Sequence, residues 1–267
     1  MSIMTFNVSV SKVDIAEARS MRAGDAVARD VPLHVFVSGI HFVSFLCSPT
    51  LLKELVVGHL LCEGLVDSVE KVSSVDFDGE NRCFVTLEQT EGSEQVAVSK
   101  PFSRLIVSAC GSISHRSLSE LLDSIELEPL PTWKIEAKTV LECVRRLNTL
   151  ADTFRKTGGV HIAALFKRDG TLVAFAEDVG RHNAVDKAVG TALLWGHDLG
   201  ECFLASSGRL TGDIVLKAAR VGIPIVASLA AAIGTGVEVA DKASLTLVGF
   251  VRGNRMIIYT CPERINV

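Results

Sequence analysis

Of the seven cysteines in the chain, one stands apart by its surroundings. Cys62 and Cys143 sit in helical register with apolar neighbours, and Cys47 and Cys202 border apolar strand-like runs. Buried thiols of that kind are common and inert. Cys83 and Cys261 have nothing beside them that would activate a thiol. Cys110 ends an apolar run within Ser108-Ala109-Cys110-Gly111-Ser112, among small residues that suit a loop, with Arg104, His115 and Arg116 close in sequence. Cationic neighbours favour the thiolate, the nucleophilic form. Local sequence leaves two readings of Cys110 open, a working thiol and an ordinary loop cysteine. No two cysteines form a C-x-x-C pair, so the chain reads neither as a structural zinc site nor as a secreted disulfide framework.

Three polar groupings accompany it. The run EDVGRHNAVDK, Glu177 to Lys187, places Arg181, His182, Asn183, Asp186 and Lys187 on the first turns of a helix. Its apolar stripe is Ala184, Val185, Ala188, Val189 and Leu193. His182 and Asp186 are four apart, the spacing of helical neighbours that can share a hydrogen bond. The run reads as a solvated helix start or as a ligand site, because α/β proteins bind ligands where strands meet helices. Ser206 to Gly212 lies at a second such junction. Free N–H groups at a helix start, with Arg209, suit a phosphate; a simple capped turn suits the same residues, and Walker-loop spacing is absent. Gly249 to Arg255 turns between two late strands, carrying Arg252, Arg255 and a Gly253-Asn254 tip. Read locally it is a hairpin tip, although its cations could meet a phosphate or a guanine base.

The elements that must position these groups are legible from periodicity. Val31 to Leu46 alternates around Ser38-Gly39, a hairpin signature. Ser48-Pro49 reads as an N-cap and N1 proline opening a helix through Cys62, closed by Gly64. Strands are expected at 72–79 and 82–88. After Pro129 and Pro131, a helix from Ile135 to Lys156 is expected from Val140, Leu141, Val144, Leu147, Leu150 and Phe154, with Gly158 as its C′ residue. Strands at 160–166 and 172–176 flank Asp169-Gly170. Helices at 180–194, 212–220 and 235–242 then alternate with strands at 202–206, 223–227, 245–251 and 256–260. That alternation predicts a layered α/β sheet with helices on its faces.

Composition narrows the classes. The chain is 48% apolar and 22% charged, enough to bury a core and too apolar for disorder. The N-terminus has no basic start with an apolar segment behind it, and the apolar run from Leu51 to Leu65 is broken by Lys53, Glu54, His59 and Glu63. No segment approaches the ~20 apolar residues of a membrane span, so a soluble, cytoplasmic protein is expected. Net charge is −4 with scattered cations, which argues against a nucleic-acid binder.

Several stretches together resemble the formate dehydrogenase accessory sulfurtransferase (FdhD) family. They are LVVGHLLCEGLV (55–66), GGVHIAALF (158–166), EDVGRHNAVDKAVG (177–190), SGRLTGDIVLKAARVGIP (207–224) and LTLVGFVRGNRMIIYTCPERI (245–265). The likeness covers nearly everything after residue 30. It implies a layered α/β domain resembling the cytidine deaminase fold over 106–267, a smaller α+β domain over 1–105, and a sulfur-transfer loop at 108–115.

The resemblance also implies a function. Such proteins take persulfide sulfur from a cysteine desulfurase and pass it to the molybdenum or tungsten bis(molybdopterin guanine dinucleotide) cofactor, held as a bound substrate, so that formate dehydrogenase becomes active. It maps the persulfide cysteine onto Cys110. It maps guanine-dinucleotide contacts onto Phe250, Val251, Arg252, Gly253, Asn254 and Arg255. Arg181, Arg209 and Lys217 join as pyrophosphate partners by residue type, with His182 beside them. A homodimer is implied as well.

Two departures bear on this. The family loop reads C-G-x-C, whereas Cys110-Gly111-Ser112-Ile113 carries isoleucine at the second position, leaving a single-cysteine carrier. SLAAAIGTG (228–236) lacks the family's Ser-Ala-Pro-Thr. A zinc deaminase is disfavoured because His161-Ile162-Ala163 lacks the glutamate, and no P-C-x-x-C is present; no zinc is expected. A cofactor-binding chaperone or scaffold that carries no sulfur is the competing reading.

Overall fold

The computed structural model describes residues 3–88 and 128–267. Cys110, the 108–115 loop and the 105/106 boundary lie outside the described residues, as do Arg104, His115 and Arg116.

The described chain begins with a two-stranded ribbon, β1 (Thr5–Asp14) against β2 (Arg19–Ala28), which the sequence patterning did not bring out. A four-stranded sheet follows in the order β4-β3-β6-β5, from β3 (Val31–Val37), β4 (Ile40–Cys47), β5 (Val72–Phe77) and β6 (Arg82–Leu87). The expected hairpin is β3–β4, turning at Ser38 and Gly39, both at positive φ. Helix α1 (Leu52–Cys62) covers this sheet, burying Leu55, Val56, Leu60 and Leu61 against Leu33, Val35 and Val85. Gly64 closes it at φ 69, its N–H bonded to the carbonyl of Leu61.

The larger sheet runs β13-β12-β11-β10-β8-β9. Its strands are β8 (His161–Lys167), β9 (Leu172–Asp178), β10 (Cys202–Ser206), β11 (Ile225–Ser228), β12 (Thr246–Arg252) and β13 (Arg255–Thr260). The middle three, β10, β11 and β12, are parallel, and antiparallel strands flank them on both sides. Alternating side chains feed two cores, as a sheet covered on both faces requires. Ile162, Ala164, Phe166, Phe203 and Ala205 face α2 (Ala137–Leu150) through Val140, Cys143, Val144 and Leu147. Ala163, Leu165 and Leu204 face α4 (Arg181–Leu194), α5 (Gly212–Arg220) and α6 (Gly234–Lys242). The result is a three-layer mixed α/β arrangement, with the short strands β7 (Ile135–Glu136) and β14 (Ile265–Asn266) pairing beside it.

Two expected elements come out differently, and both differences have a tertiary cause. Helix α1 starts at Leu52, after Leu51 at φ 53, because Ser48 is engaged elsewhere. Its N–H donates to Asp178 at 2.9 Å, its hydroxyl accepts from the Val179 N–H at 3.2 Å, and its carbonyl accepts from Lys187 Nζ at 2.8 Å. The helix expected from 135 to 156 is two, α2 and then α3 (Asp152–Thr157), broken at buried Ala151 (φ −80, ψ 75). A second helix start leaves N–H groups needing acceptors. The Glu177 carboxylate from β9 takes those of Thr153 and Phe154 at 3.0 and 2.8 Å.

Candidate functional site

The parallel strands β10, β11 and β12 all end on one edge of the large sheet. The antiparallel pairing of β8 with β10, and of β9 with β8, brings the start of β8 and the end of β9 to that same edge. The segments 177–183, 206–212, 228–233 and 250–255 therefore meet there. An edge at the carboxyl ends of parallel strands is where α/β folds receive ligands.

Most of the EDVGRHNAVDK run is committed to internal ties. Asp178 and Lys187 are fully buried and paired at 2.6 Å. The other Asp178 oxygen accepts from the Gly180 N–H at 2.8 Å and the Asn183 amide at 2.9 Å, and Asn183 also donates to the Leu46 carbonyl at 3.0 Å. One turn on, Asp186 lies buried between Lys217 Nζ, at 2.8 and 2.9 Å, and His59 Nδ1 at 2.8 Å. Burial alone would raise the Asp186 carboxyl, but the Lys217 charge and the His59 hydrogen bond outweigh it and bring it to about 2. Lys217 also meets Glu63 at 3.0 Å, and these carboxylates overcome its burial and push its ammonium up. His59 and Glu63 belong to α1 and its end, so this network binds the N-terminal sheet's helix to the large sheet's helices, while the first ties in Leu46 and Ser48 ahead of that helix.

The expected His182–Asp186 pairing does not form. His182 Nε2 instead rests against the carboxylate of Asp213 on α5. The second Asp213 oxygen contacts the Thr211 hydroxyl and accepts from the Ile214 N–H at 3.0 Å. Burial opposes the Asp213 charge, yet the His182 and Thr211 contacts hold its carboxyl below the usual range.

What faces outward at the edge is cationic. Arg181 lies across Gly208, where a Cβ would stand 2.9 Å from that of Arg181, so only glycine admits the side chain. Its Nε is buried with no hydrogen-bond partner among the described residues. Burial pushes the guanidinium of Arg181 down, with Asp213 opposing and Arg209 adding to the effect. Arg209 is exposed. His161, at the start of β8, has Nδ1 3.3 Å from the Ser207 hydroxyl, which also accepts from the Ile162 N–H at 3.0 Å. Burial, then the charges of Arg181 and His182, lowers the His161 imidazole. Ser228 holds the loop beneath, its hydroxyl 2.9 Å from the Ser206 carbonyl oxygen and 2.6 Å from that of Gly208.

The β12–β13 tip extends the same edge. Phe250 sits at φ 51, its N–H bonded to the Ala230 carbonyl, and the Arg252 guanidinium lies 4.9 Å from its ring centroid. Val251 is buried, whereas Arg252, Gly253, Asn254 and Arg255 are exposed. Arg145 of α2 steadies the tip through the Gly253 carbonyl and, at 2.9 Å, the Asn254 side chain. Arg181, His182, Arg209 and the tip thus share one edge, while Lys217 lies buried behind it in the Asp186 network. Sequence reasoning held Ser207 only within the 206–212 junction, weighed His161 only as a zinc ligand, and passed over Asp213. Only the position of Asp213 just inside a helix start hinted at it.

The described cysteines are all poorly suited to thiolate chemistry. Burial pushes the thiols of Cys47 and Cys83 up to about 12 and those of Cys143 and Cys202 to about 11, and it raises that of Cys62 as well. Cys261 is raised as well, first by burial and then by Glu263.

The fold and this edge define a three-layer α/β protein with its cations gathered at the carboxyl ends of parallel strands. The chain belongs to the FdhD/NarQ family, whose model matches residues 28–266. It is 34% identical over 249 residues to the sulfur carrier protein FdhD of Shouchella clausii, covering 92% of each chain. It is 36% identical to the protein of that name from Thermoplasma acidophilum, over 94% of this chain and 90% of that one. Against the Bacillus subtilis protein of the same name the figure is 32%, over 90% of both. A crystal structure of a candidate formate dehydrogenase accessory protein from Desulfotalea psychrophila shares the fold. Its TM-score is 0.79 at 24% identity, over 98% of this chain and all of that one.

Proposed function

We propose that this protein is a sulfur carrier that works through a persulfide on Cys110. The observation that carries the reading is the family match over nearly the whole chain, with relatives named as sulfur carriers. The chemistry of the described cysteines supports it, since burial disfavours the thiolate at every one of them. The family resemblance is what maps the persulfide position onto Cys110.

The thiolate of Cys110 attacks the outer sulfur of a desulfurase persulfide, forming Cys110–S–SH and releasing the desulfurase cysteine as thiolate. Onward transfer breaks the new S–S bond and returns the Cys110 thiolate. The sulfur becomes a sulfide ligand as the receiving molybdenum or tungsten gives up two electrons. The bis(molybdopterin guanine dinucleotide) cofactor is the substrate of that second step. Arg181, His182, Arg209 and the Phe250–Arg255 tip receive its phosphates and guanine, and buried Lys217 holds Asp186 behind them. A cytoplasmic homodimer serving formate dehydrogenase completes the reading. The strand order of the large sheet, with an antiparallel hairpin beside three parallel strands, is consistent with a cytidine-deaminase-like layering.

The test is mass spectrometry of the intact chain after incubation with a cysteine desulfurase and cysteine. A gain of one sulfur on Cys110, absent in Cys110→Ala, is the expected result. If the wild-type chain binds cofactor yet never gains sulfur, the carrier reading is wrong and a scaffold takes its place.

A further inference from the structure

We propose that the β1–β2 ribbon is an arm that docks its apolar face on a second copy of this chain, each copy holding the other about a two-fold axis. The inference deepens one part of the proposed function, the homodimer, by naming the surface that makes it, and it stands apart from the sulfur chemistry. Nearly all of the ribbon precedes residue 28, where the family match begins.

Alternation along the two strands carries the argument. The register Phe6↔Val27, Val8↔Asp25, Val10↔Ala23 and Lys12↔Met21 sets Phe6, Val8, Val10, Met21, Ala23 and Val27 on one face. The two charges among them, Lys12 and Asp25, pair with each other at 3.0 Å. The opposite face carries Asn7, Ser9 and Ser11 beside Ala26, Gly24 and Arg22. Such a pattern writes one face for burial, yet Phe6, Met21 and Val27 stand 42, 58 and 37% exposed.

The ribbon has little of its own chain to lean on. No third strand joins either edge among the described residues. It is tied to the body at its open end, where the Thr50 hydroxyl donates to the Met4 sulfur at 3.1 Å. There, too, a Cβ on Gly159 would stand 3.1 Å from that of Ala28, and β2 leans on α3. Toward the turn, an open cleft of about 480 Å³ is lined by Val13, Ile15 and Met21 together with Lys12, Asp14 and Arg19. A two-stranded hairpin alone is marginally stable in water, so an apolar face of this size needs cover.

Charge and area select a second copy as that cover. Between Thr5 and Ala28 the cations Lys12, Arg19 and Arg22 balance the anions Asp14, Glu17 and Asp25. A strip without net charge does not select an acidic or a basic partner, whereas both signs on one strip can meet their opposites on a copy turned through a two-fold. Strands of ten residues make a strip roughly 33 Å long and about 10 Å wide. One such strip on an unrelated partner buries about 700 Å² counting both sides, below what a specific interface needs. Two arms exchanged between copies bury about 1,300 Å², within the specific range.

Sedimentation equilibrium of the full chain between about 1 and about 100 μM tests this. The wild-type chain should be a dimer that dissociates on dilution. Val10→Glu with Met21→Glu places like charges on the apolar face and should raise the dissociation constant about tenfold or more. Ser9→Glu with Ser11→Glu places the same charges on the opposite face and should leave it unchanged. Should the first pair unfold the ribbon, hydrogen exchange of the wild-type chain decides, since the β1 and β2 amides should exchange slowly in the dimer and fast after dilution. A wild-type chain that stays monomeric throughout, equal effects of the two pairs, or ribbon exchange indifferent to dimerisation would overturn the inference. None of these results touches the carrier reading, which is judged separately by the sulfur gained on Cys110.

Discussion

At the scale of single residues, the EDVGRHNAVDK run divides between two tasks. Arg181 and His182 face the edge, whereas Glu177, Asp178, Asn183, Asp186 and Lys187 hold structure together. A buried charge without its partner is strongly destabilising. Lys187→Met should cost about 3–5 kcal/mol in urea unfolding, and adding Asp178→Asn should recover part of it. Arg181→Ala should behave in the opposite way, leaving the urea midpoint in place while weakening the binding of GDP measured by isothermal titration. The thiols make a further residue-level prediction. Cys47, Cys62, Cys83, Cys143 and Cys202 are buried with raised thiols. They should resist iodoacetamide in the native chain at about pH 8 and react on unfolding. Rapid native alkylation at any of the five would contradict the packing described.

At the scale of elements, α1 and α4 cross with their backbones in contact. A Cβ on Gly58 would stand 1.9 Å from the Asp186 carbonyl oxygen, and one on Gly190 2.0 Å from that of Glu54. Backbone cannot yield as a flexible side chain does, so Gly58→Ala and Gly190→Ala should each destabilise by about 1–3 kcal/mol or more. The helix separation would also disturb the Asp186–Lys217–His59 network next to it. A melting temperature equal to that of the wild type would show that the crossing is looser than described. The sequence shows both glycines as gaps in apolar helices, yet gives no sign that each faces the other helix. The same limit applies at Ala151. Helical periodicity runs unbroken from 140 to 154, and only the arrival of Glu177 from β9 makes a second helix start favourable there.

At the scale of the whole molecule, two buried networks join the N-terminal sheet with its helix to the large sheet, and their charges set the response to pH. The Asp186 carboxyl is brought from 3.8 to about 2 in the folded chain, and those of Glu63 and Asp213 are also lowered. As pH falls, the unfolded chain therefore binds protons before the folded one does. This stabilisation is complete above the unfolded carboxylate values and is lost as pH falls from about 4 toward about 2. Lys217 is raised, so its contribution is complete below 10.5 and is lost only as pH climbs above that value. Thermal melts should show a broad plateau through neutral pH and a steep acid limb. Lys217→Met should lower the plateau and lift the depression of Asp186, so that the limb begins at higher pH.

Amphipathic periodicity is a property of neighbours along the chain, and it sufficed for what is local. The hairpin at Ser38-Gly39, helices α4 to α6, their strands and the packing of Cys47, Cys62, Cys143 and Cys202 all follow from spacing. Family membership followed from motif residues that keep their order along the chain. The assignment of charges to partners did not follow, because Ser48, Asp178, Asp186 and Asp213 bond to groups far away in sequence. Which cations reach the edge and which lie buried behind it was decided by sheet topology alone. That topology brings the ends of β9, β10, β11 and β12 to one edge, leaving Arg181 half-buried at it and Lys217 enclosed behind it.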